Sequence, residues 1–425
     1  MKINKGIIAL SPLLIFVVVY LVTSIIAGDF YAVPIPVAFL ITSIYSLSVS
    51  KGSIEQRIST FSKGSGSTDI MLMIWIFILA GAFASSAKEM GCIDEFVNLT
   101  LHLLPANMIY AGLFLASCLI SLSIGTSVGT IVALSPIAAG ISQSIGADTA
   151  FTVAIISGGA FFGDNLSFIS DTTIVATSTQ GCRMSDKFYV NSLTTIPVAL
   201  IIFCLYVLLG NDVAYTNTIE NIQYIKVLPY LLVLVLAVMG LNVAALLTLG
   251  LVFTALTGIL TGSYDLFGWI SSMGKGITEM SELIIVTILA GGLLESIRMN
   301  GGIDYIVEKI SKLIKGKRSA ELSIGSLVGL VNVCTANNTI AILTVGNIAK
   351  KIGDRWGVDY RKSASILDTF SCGVQGLLPY GAQILIAAGL ANVNPVEIVS
   401  HMYYPAALLI ISVIAITIRY PRKYS

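Results

Sequence analysis

Two acidic residues lie inside an otherwise uncharged, apolar stretch of the chain. The segment Gly163–Thr173 reads Gly-Asp-Asn-Leu-Ser-Phe-Ile-Ser-Asp-Thr-Thr, and it interrupts an apolar run over residues 150–181. An Asp at the centre of a membrane helix costs about 2.5–3.5 kcal/mol on insertion scales, so Asp164 and Asp171 each need compensation. A bound cation or a proton supplies it, and oxygen atoms are the ligands that a hard cation prefers. We expect further oxygen ligands from Asn165, Ser167, Ser170 and Thr172.

A structural interpretation of the same residues stays open. In this interpretation the whole role of Asp171 or Ser170 is to cap the second half of the interrupted helix. A neutral Ser or Asn would cap the helix at a lower desolvation cost than an Asp. The presence of Asp therefore favours ion binding over capping alone.

The second half of the chain contains a similar interruption. Asp368 is a third carboxylate in an apolar span and a further candidate for binding the cation or the proton. Pro379 breaks the helix that follows because it has no N–H to donate. Two roles stay open for Gln375 and Gln383. They could form hydrogen bonds to the backbone of the broken helix, or they could bind the transported ion directly. Polar, uncharged residues also lie at two hairpin tips. The predicted lining of the site is Thr126, Ser127, Thr130, Thr335, Asn337, Asn338, Thr369, Gln375 and Gln383.

Composition places these residues in a membrane protein. The chain has 425 residues, of which 56 % are hydrophobic and 11 % charged, whereas soluble domains have about 25 % charged residues. The formal net charge of +1 gives no electrostatic reason for a nucleic-acid partner. Six cysteines form no CxxC pair, and no catalytic motif is present, so we expect neither a zinc site, a cofactor nor an enzyme.

The apolar pattern predicts an all-α polytopic membrane protein with about ten transmembrane spans. Two further segments, 107–145 and 319–350, have short apolar arms that meet at polar residues. We interpret them as re-entrant hairpins, because polar backbone is tolerated at membrane depth only inside protein or beside water. The predicted spans are 7–27, 33–50, 69–87, 150–181, 189–209, 226–242, 243–261, 281–297, 363–391 and 401–418, of which 150–181 and 363–391 are interrupted. Amphipathic segments are expected near 91–104, 264–277 and 302–316.

Basic residues orient this layout, since cytoplasmic loops collect Lys and Arg. Both termini and the loop with Arg183 and Lys187 are predicted to be cytoplasmic, and the loop 211–224 to be outside. No Lys or Arg is then expected at the depth of the acidic residues.

The chain also repeats itself. Residues 78–97 (ILAGAFASSAKEMGCIDEFV) align without gaps with residues 288–307 (ILAGGLLESIRMNGGIDYIV), and the register predicts that Thr126 matches Thr335. The charge layout gives the halves opposite topology, which is the architecture of inverted-repeat carriers. The predicted units are N-terminal scaffold spans over 1–68, a first repeat over 69–209, connecting scaffold spans over 210–280, a second repeat over 281–418 and a cytoplasmic tail over 419–425.

The stretches Gly163–Thr173 and Leu367–Gln383 resemble the signature of the NhaC family of Na+/H+ antiporters, within the ion transporter superfamily. The resemblance covers most of the chain. It implies Na+/H+ exchange by alternating access, with Na+ bound at Asp164 and Asp171 and a transport domain of hairpins and broken helices. The implied partners are Na+, H+ and the lipid bilayer of the cell membrane, and a homodimer is expected.

A second function stays open at this stage. Members of that family often have Lys-Met-Ser-Pro where this chain has Asn-Leu-Ser-Phe at 165–168, and relatives also exchange small organic anions. The alternative is therefore a Na+- or H+-coupled carrier of a small organic anion or amino acid. The expected lack of a deep Lys or Arg favours an inorganic cation.

Overall fold

The computed structural model describes residues 5–23, 34–167, 170–213, 222–239 and 241–424, and within these ranges it is helical without strands. The predictions that concern Phe168, residues 24–27 of the first span and residues 214–221 of the outer loop lie outside the described residues. The first-half helices are α1 Lys5–Val17, α2 Ile35–Val49, α3 Ile54–Ser65, α4 Thr68–Glu89, α5 Cys92–Leu103, α6 Ile109–Ile124, α7 Ser127–Ile145, α8 Thr149–Leu166, α9 Asp171–Gln180 and α10 Met184–Leu209. The second-half helices are α11 Tyr224–Val238, α12 Val243–Leu260, α13 Leu266–Glu279, α14 Ser281–Met299, α15 Gly302–Ser311, α16 Lys317–Thr335, α17 Asn338–Trp356, α18 Tyr360–Gln375, α19 Ala382–Ala391, α20 Pro395–Ser400 and α21 Tyr403–Thr417.

Several of these helices are long and apolar enough to cross a membrane. Five described helices meet that criterion, or up to seven if each sharply bent helix pair is one span. The all-helical class is confirmed, and the count of ten spans stays a prediction.

Both predicted helix interruptions are present. The first separates α8 from α9, which begins at Asp171, and the second separates α18 from α19. The second break follows from Pro379, which cannot donate a backbone hydrogen bond, and from Gly381, the residue that precedes α19.

The two predicted hairpins are helix pairs with two-residue junctions. Gly125 ends α6 with φ 75°, and Ala336 ends α16 with φ 49°, so both junctions use the left-handed region. This conformation reverses the chain within two residues. That each hairpin returns to the side it entered stays a prediction.

The helix ends give the register of the repeat beyond the first hairpin. Gly146 and Gly357 end α7 and α17 in the same left-handed conformation, with φ 66° and 72°. Thr126 and Asn337 precede those helices with the same φ of −145°. Both pairs are 211 residues apart, so Thr126 corresponds to Asn337. The predicted match to Thr335 is wrong by two residues, because a short Thr-containing pattern was aligned without the helix ends.

The two halves pack on each other reciprocally. Helix α9 packs on α17, and the corresponding α19 packs on α7. In the same way α3 packs on α14 while α13 packs on α4, and α1 packs on α15 while α11 packs on α5. Such exchanged contacts are what a two-fold relation between halves requires. The relation extends to α1–α3 and α11–α13, which the sequence repeat did not include.

Close glycine crossings recur at equivalent positions of the two halves. A Cβ on Gly81 would lie 2.4 Å from the carbonyl oxygen of Gly276, where α4 crosses α13. A Cβ on Gly64 would lie 2.3 Å from the carbonyl oxygen of Gly291, where α3 crosses α14. Glycine therefore allows the backbones to approach at both crossings.

Candidate functional site

Asp164 is buried in the last turn of α8, where it meets the start of α7. Only 4 % of the residue is exposed to solvent. The backbone N–H of Ser127 donates to Asp164 Oδ1 at 2.8 Å, and the Ser127 hydroxyl donates to Oδ2 at 2.5 Å. In the part of the chain that the structure describes, no Lys, Arg or His forms an ion pair with Asp164. Two hydrogen bonds and a helix N-terminus offset part of a buried charge, and a full counter-charge is still needed.

A chain of hydrogen bonds connects Asp164 to the second half of the protein. Gln383 Nε2 donates to the Ser127 hydroxyl at 3.2 Å, and Gln375 Nε2 donates to Gln383 Oε1 at 2.9 Å. Gln375 Nε2 also donates to the carbonyl of Ala336 at 2.9 Å. These hydrogen bonds therefore join both hairpin junctions and both helix interruptions in one network.

A cavity opens beside this network. Its volume is about 470 Å³. The described lining residues include two carboxylates and no Lys, Arg or His. Its polar lining consists of Thr126, Ser127, Asp164, Ser170, Asp171, Thr172, Asn242, Asn337, Asn338, Thr339, Gln375 and Gln383. Most of the predicted site residues are thus brought together around one space.

Asp171 lies at the wall of this cavity, in the first turn of α9, and it is exposed. Ser170, which precedes α9, forms no side-chain capping bond within the described residues. Instead, the hydroxyls of Ser170 and Thr172 lie 2.9 Å apart, and the Thr172 hydroxyl donates to the carbonyl of Asp164 at 3.3 Å. These contacts hold the start of α9 against the end of α8.

Asp368 has a counter-ion that the sequence analysis did not foresee. Lys187 Nζ lies 2.7 Å from Asp368 Oδ2, and the two side chains are 1 % and 0 % exposed. Lys187 also donates to the carbonyl of Asn165 at 2.7 Å and to the Thr173 hydroxyl at 2.6 Å, and Asn191 Nδ2 donates to Asp368 Oδ2 at 2.9 Å. The expectation that Lys187 lies in a loop is wrong, because α10 begins at Met184 and its first turn points Lys187 inward. A buried cation is therefore present among the acidic residues.

Two predicted lining residues lie away from the cavity. The Thr130 hydroxyl donates to the carbonyl of Thr126, the residue that precedes α7, and the Thr369 hydroxyl donates to the carbonyl of Ser365 in its own helix. Neither lines the cavity. Such bonds to the preceding turn are ordinary for Thr in helices.

The remaining predicted residues surround the site. Asn165 is buried, and its carbonyl accepts hydrogen bonds from α10, while Ser167 is buried at the end of α8. Thr335 donates to the carbonyl of Asn337 and lines a second cavity of about 340 Å³. The second cavity shares Ala336 and Asn337 with the first, so the junction of the second hairpin lies between them.

Similarity to known proteins identifies the family of the chain. The model of the Na+/H+ antiporter family matches residues 59–211 and 214–420. The Na(+)/H(+) antiporter NhaC of Bacillus subtilis (strain 168) is 26 % identical over 410 residues, covering 87 % of each chain. The Na(+)/H(+) antiporter NhaC of Alkalihalophilus pseudofirmus is 22 % identical, covering 78 % of each chain. The malate-2H(+)/Na(+)-lactate antiporter of Bacillus subtilis is 20 % identical, covering 78 % of this chain and 77 % of that protein. The chain therefore belongs to the Na+/H+ antiporter family and is a multi-pass membrane transporter.

Proposed function

We propose that the protein exchanges Na+ for H+ by alternating access, and that both ions compete for the carboxylate of Asp164. The observation that carries the proposal is the burial of Asp164 beside a cavity without a basic partner among the described residues. A bare carboxylate is expensive in a low-dielectric surrounding, and either Na+ or H+ removes that cost.

Exchange follows from this competition. A proton on Asp164 removes the negative oxygen that Na+ needs, so the two ions exclude each other. The empty site carries an unpaired buried charge, and it is therefore the costliest form to move. Either occupied form moves more easily, which couples the outward step of one ion to the inward step of the other.

The other cavity residues complete the coordination in this proposal. Asp171 offers a second carboxylate from the cavity wall, and Thr172 offers a hydroxyl from the same helix end. The amides of Gln375, Gln383 and Asn337 come from the second half and line the same cavity. We assign the two cavities on either side of the second hairpin junction to the two directions of access.

The rest of the layout belongs to the same proposal. The hairpins and interrupted helices form the moving domain, and the helices of 1–68 and 210–280 form the scaffold and the homodimer interface. The protein lies in the cell membrane with both termini in the cytoplasm.

The direct test uses purified protein in liposomes with an internal pH dye. Asp164→Asn should abolish Na+-driven proton movement while the protein remains folded, because Asn keeps the shape and cannot titrate. Asp148→Asn is the matched control, since Asp148 lies at the other end of α8 as its N-cap, where Asn serves equally well. Full exchange by the Asp164 variant would overturn the proposal, as would loss of exchange in the control.

A second candidate function is supported by the size of the cavity. A volume of about 470 Å³ exceeds the share of a single water in the liquid, roughly 30 Å³, many times over. Gln375 Oε1 is buried with no hydrogen-bond partner among the described residues and is available to a donor on a solute. The candidate is a Na+- or H+-coupled carrier of a small organic anion or amino acid, such as the malate and lactate named for one relative. Proton movement driven by an organic solute in liposomes without Na+ would favour this candidate.

A further inference from the structure

The buried pair of Lys187 and Asp368 lies behind the cavity and not on its wall. Both side chains are almost fully inaccessible, and neither residue lines the cavity. A buried ion pair loses several kcal/mol of hydration per ion and stabilises a fold only when its geometry is very good. This pair joins three helices, since Asn191 on α10 also bonds Asp368 on α18, and Lys187 bonds the end of α8.

The fold itself does not require this pair. At the 211-residue offset of the repeat, Lys187 corresponds to Ile398 and Asp368 corresponds to Ser157. The place that the repeat makes equivalent therefore has two uncharged residues, Ile398 from the second half and Ser157 from the first. Of the two equivalent places, the charged pair occupies the one beside the helix end that carries Asp164, which points to a role in ion binding.

Lys187 acts on the helix end that carries the exchanging carboxylate. It donates to the carbonyl of Asn165, the residue that follows Asp164. The last carbonyls of a helix have no intrahelical partner, and a positive charge near them is favourable. Lys187 therefore fixes the broken end of α8 and supplies a positive charge close to it.

The charges of this region then have a simple sum. Among the buried groups, Asp164 and Asp368 are acidic and Lys187 is basic, so these three have one net negative charge when no ion is bound. That charge disappears when Na+ or H+ occupies Asp164. Asp171 is exposed at the cavity wall and lies outside this sum. Without Lys187, two buried carboxylates would each have to be neutralised before the domain moved.

We propose that Lys187 is the resident counter-charge of Asp368 and a positioning residue for the site. It keeps Asp368 out of the exchange, so that Asp164 is the buried carboxylate that the transported ion neutralises. This inference rests on the proposed function, because it concerns the same ion site.

The test compares Lys187→Met with the double variant Lys187→Met/Asp368→Asn over a range of pH. The titratable groups facing Asp368 are Lys187 on α10, Asp164 on α8, Cys372 on its own helix and Tyr404 on α21. In the single variant the bare Asp368 must take up a proton before the domain moves, and protons become scarce as pH rises. Its exchange rate relative to the double variant should fall with rising pH, by up to about tenfold per pH unit for one titrating group.

Lys187→Arg should retain more exchange than Lys187→Met, since it keeps the positive charge.

A purely structural role predicts a different result. Both variants lose the same hydrogen bond to Asn165, so in that case their pH profiles would coincide, and coincidence would overturn the proposal. Size-exclusion chromatography of each variant establishes that it is folded.

A measurement without transport separates this inference from the proposed function. The unfolding temperature of the single variant in detergent should fall below that of the double variant as pH rises, because an ionised Asp368 without a partner destabilises the folded state. If this contrast appears while the native protein shows no Na+/H+ exchange, only the proposed function fails. If exchange is present and the contrast is absent, only the counter-charge proposal fails.

Discussion

The hydroxyl of Ser127 provides a sharp test of how Na+ and H+ compete at Asp164. It donates to Asp164 Oδ2 at 2.5 Å, while the backbone N–H of the same residue donates to Oδ1. Ser127→Ala removes the first bond, together with the bond that Gln383 donates to the same hydroxyl, and keeps the backbone bond. The expected effect depends on how much stronger the lost bond to Asp164 is when the carboxylate is ionised.

The magnitude follows from the charge of the acceptor. Hydrogen bonds to charged groups contribute about 1.5–3 kcal/mol, and those between neutral groups contribute about 0.5–1.5 kcal/mol. The carboxylate is ionised with Na+ bound and neutral with H+ bound, so the variant weakens the Na+ form by about 1–1.5 kcal/mol relative to the H+ form. At 1.36 kcal/mol for each factor of ten, the Na+ concentration for half-maximal exchange should rise about five- to thirteenfold at fixed pH.

The assay is Na+-driven proton movement in liposomes, with Na+ varied at constant pH. Ser135→Ala is the matched control, because Ser135 lies in the same helix and its buried hydroxyl has no hydrogen-bond partner within the described residues. The control should leave the half-maximal Na+ concentration unchanged. An unchanged value for the Ser127 variant, or an equal rise in the control, would refute the reasoning.

Two further predictions concern the fold and its orientation. Gly81→Ala should lower the free energy of unfolding by about 1–3 kcal/mol, because a Cβ there meets the Gly276 carbonyl, as thermal unfolding in detergent would report. Gly274→Ala in the neighbouring helix is its control and should stabilise by about 0.5–1 kcal/mol, since nothing lies within 4 Å of a Cβ there; equal effects of both changes would contradict the close-crossing argument. A cysteine at the exposed Ser185, in a background without other cysteines, should react with an impermeant maleimide only from the cytoplasmic side, and labelling of intact cells from outside would reverse the proposed orientation.

Several features of the site could be predicted from the sequence because their residues break an apolar pattern. Asp164 and Asp171 stand out in an uncharged stretch, and the breaks at residues 163–173 and 376–381 follow from glycine, proline and polar residues. The hairpin junctions were found for the same reason. Local composition was sufficient for each of these predictions.

The role of Lys187 could not be found in that way. It is 181 positions from Asp368 in the chain, and a basic residue beside a predicted span is typical of a cytoplasmic loop. One signal was present: Asn191 follows Lys187 by one helical turn, which places both polar side chains on one face of α10. The helical spacing of these two polar residues indicated that Lys187 points into the protein. The rule that basic residues collect in cytoplasmic loops indicated the opposite.

The extent of the repeat was also underestimated. The sequence match between α3 and α13 is short, ISTFSKG at 58–64 and ISSMGKG at 270–276. The reciprocal packing of α1–α3 and α11–α13 shows the relation over their whole length. A close backbone crossing requires a residue without a side chain, so both halves have glycine there: Gly81 meets Gly276, and Gly291 meets Gly64.

Proton release on Na+ binding is the measurement that tests the central claim most directly. Titration calorimetry of the purified protein in buffers with different ionisation enthalpies counts the protons released per Na+ bound. If Na+ and H+ compete for Asp164, the native protein should release up to about one proton per Na+, increasingly as pH falls, and Asp164→Asn should release none. Na+ binding to the native protein without proton release at any pH would contradict the account.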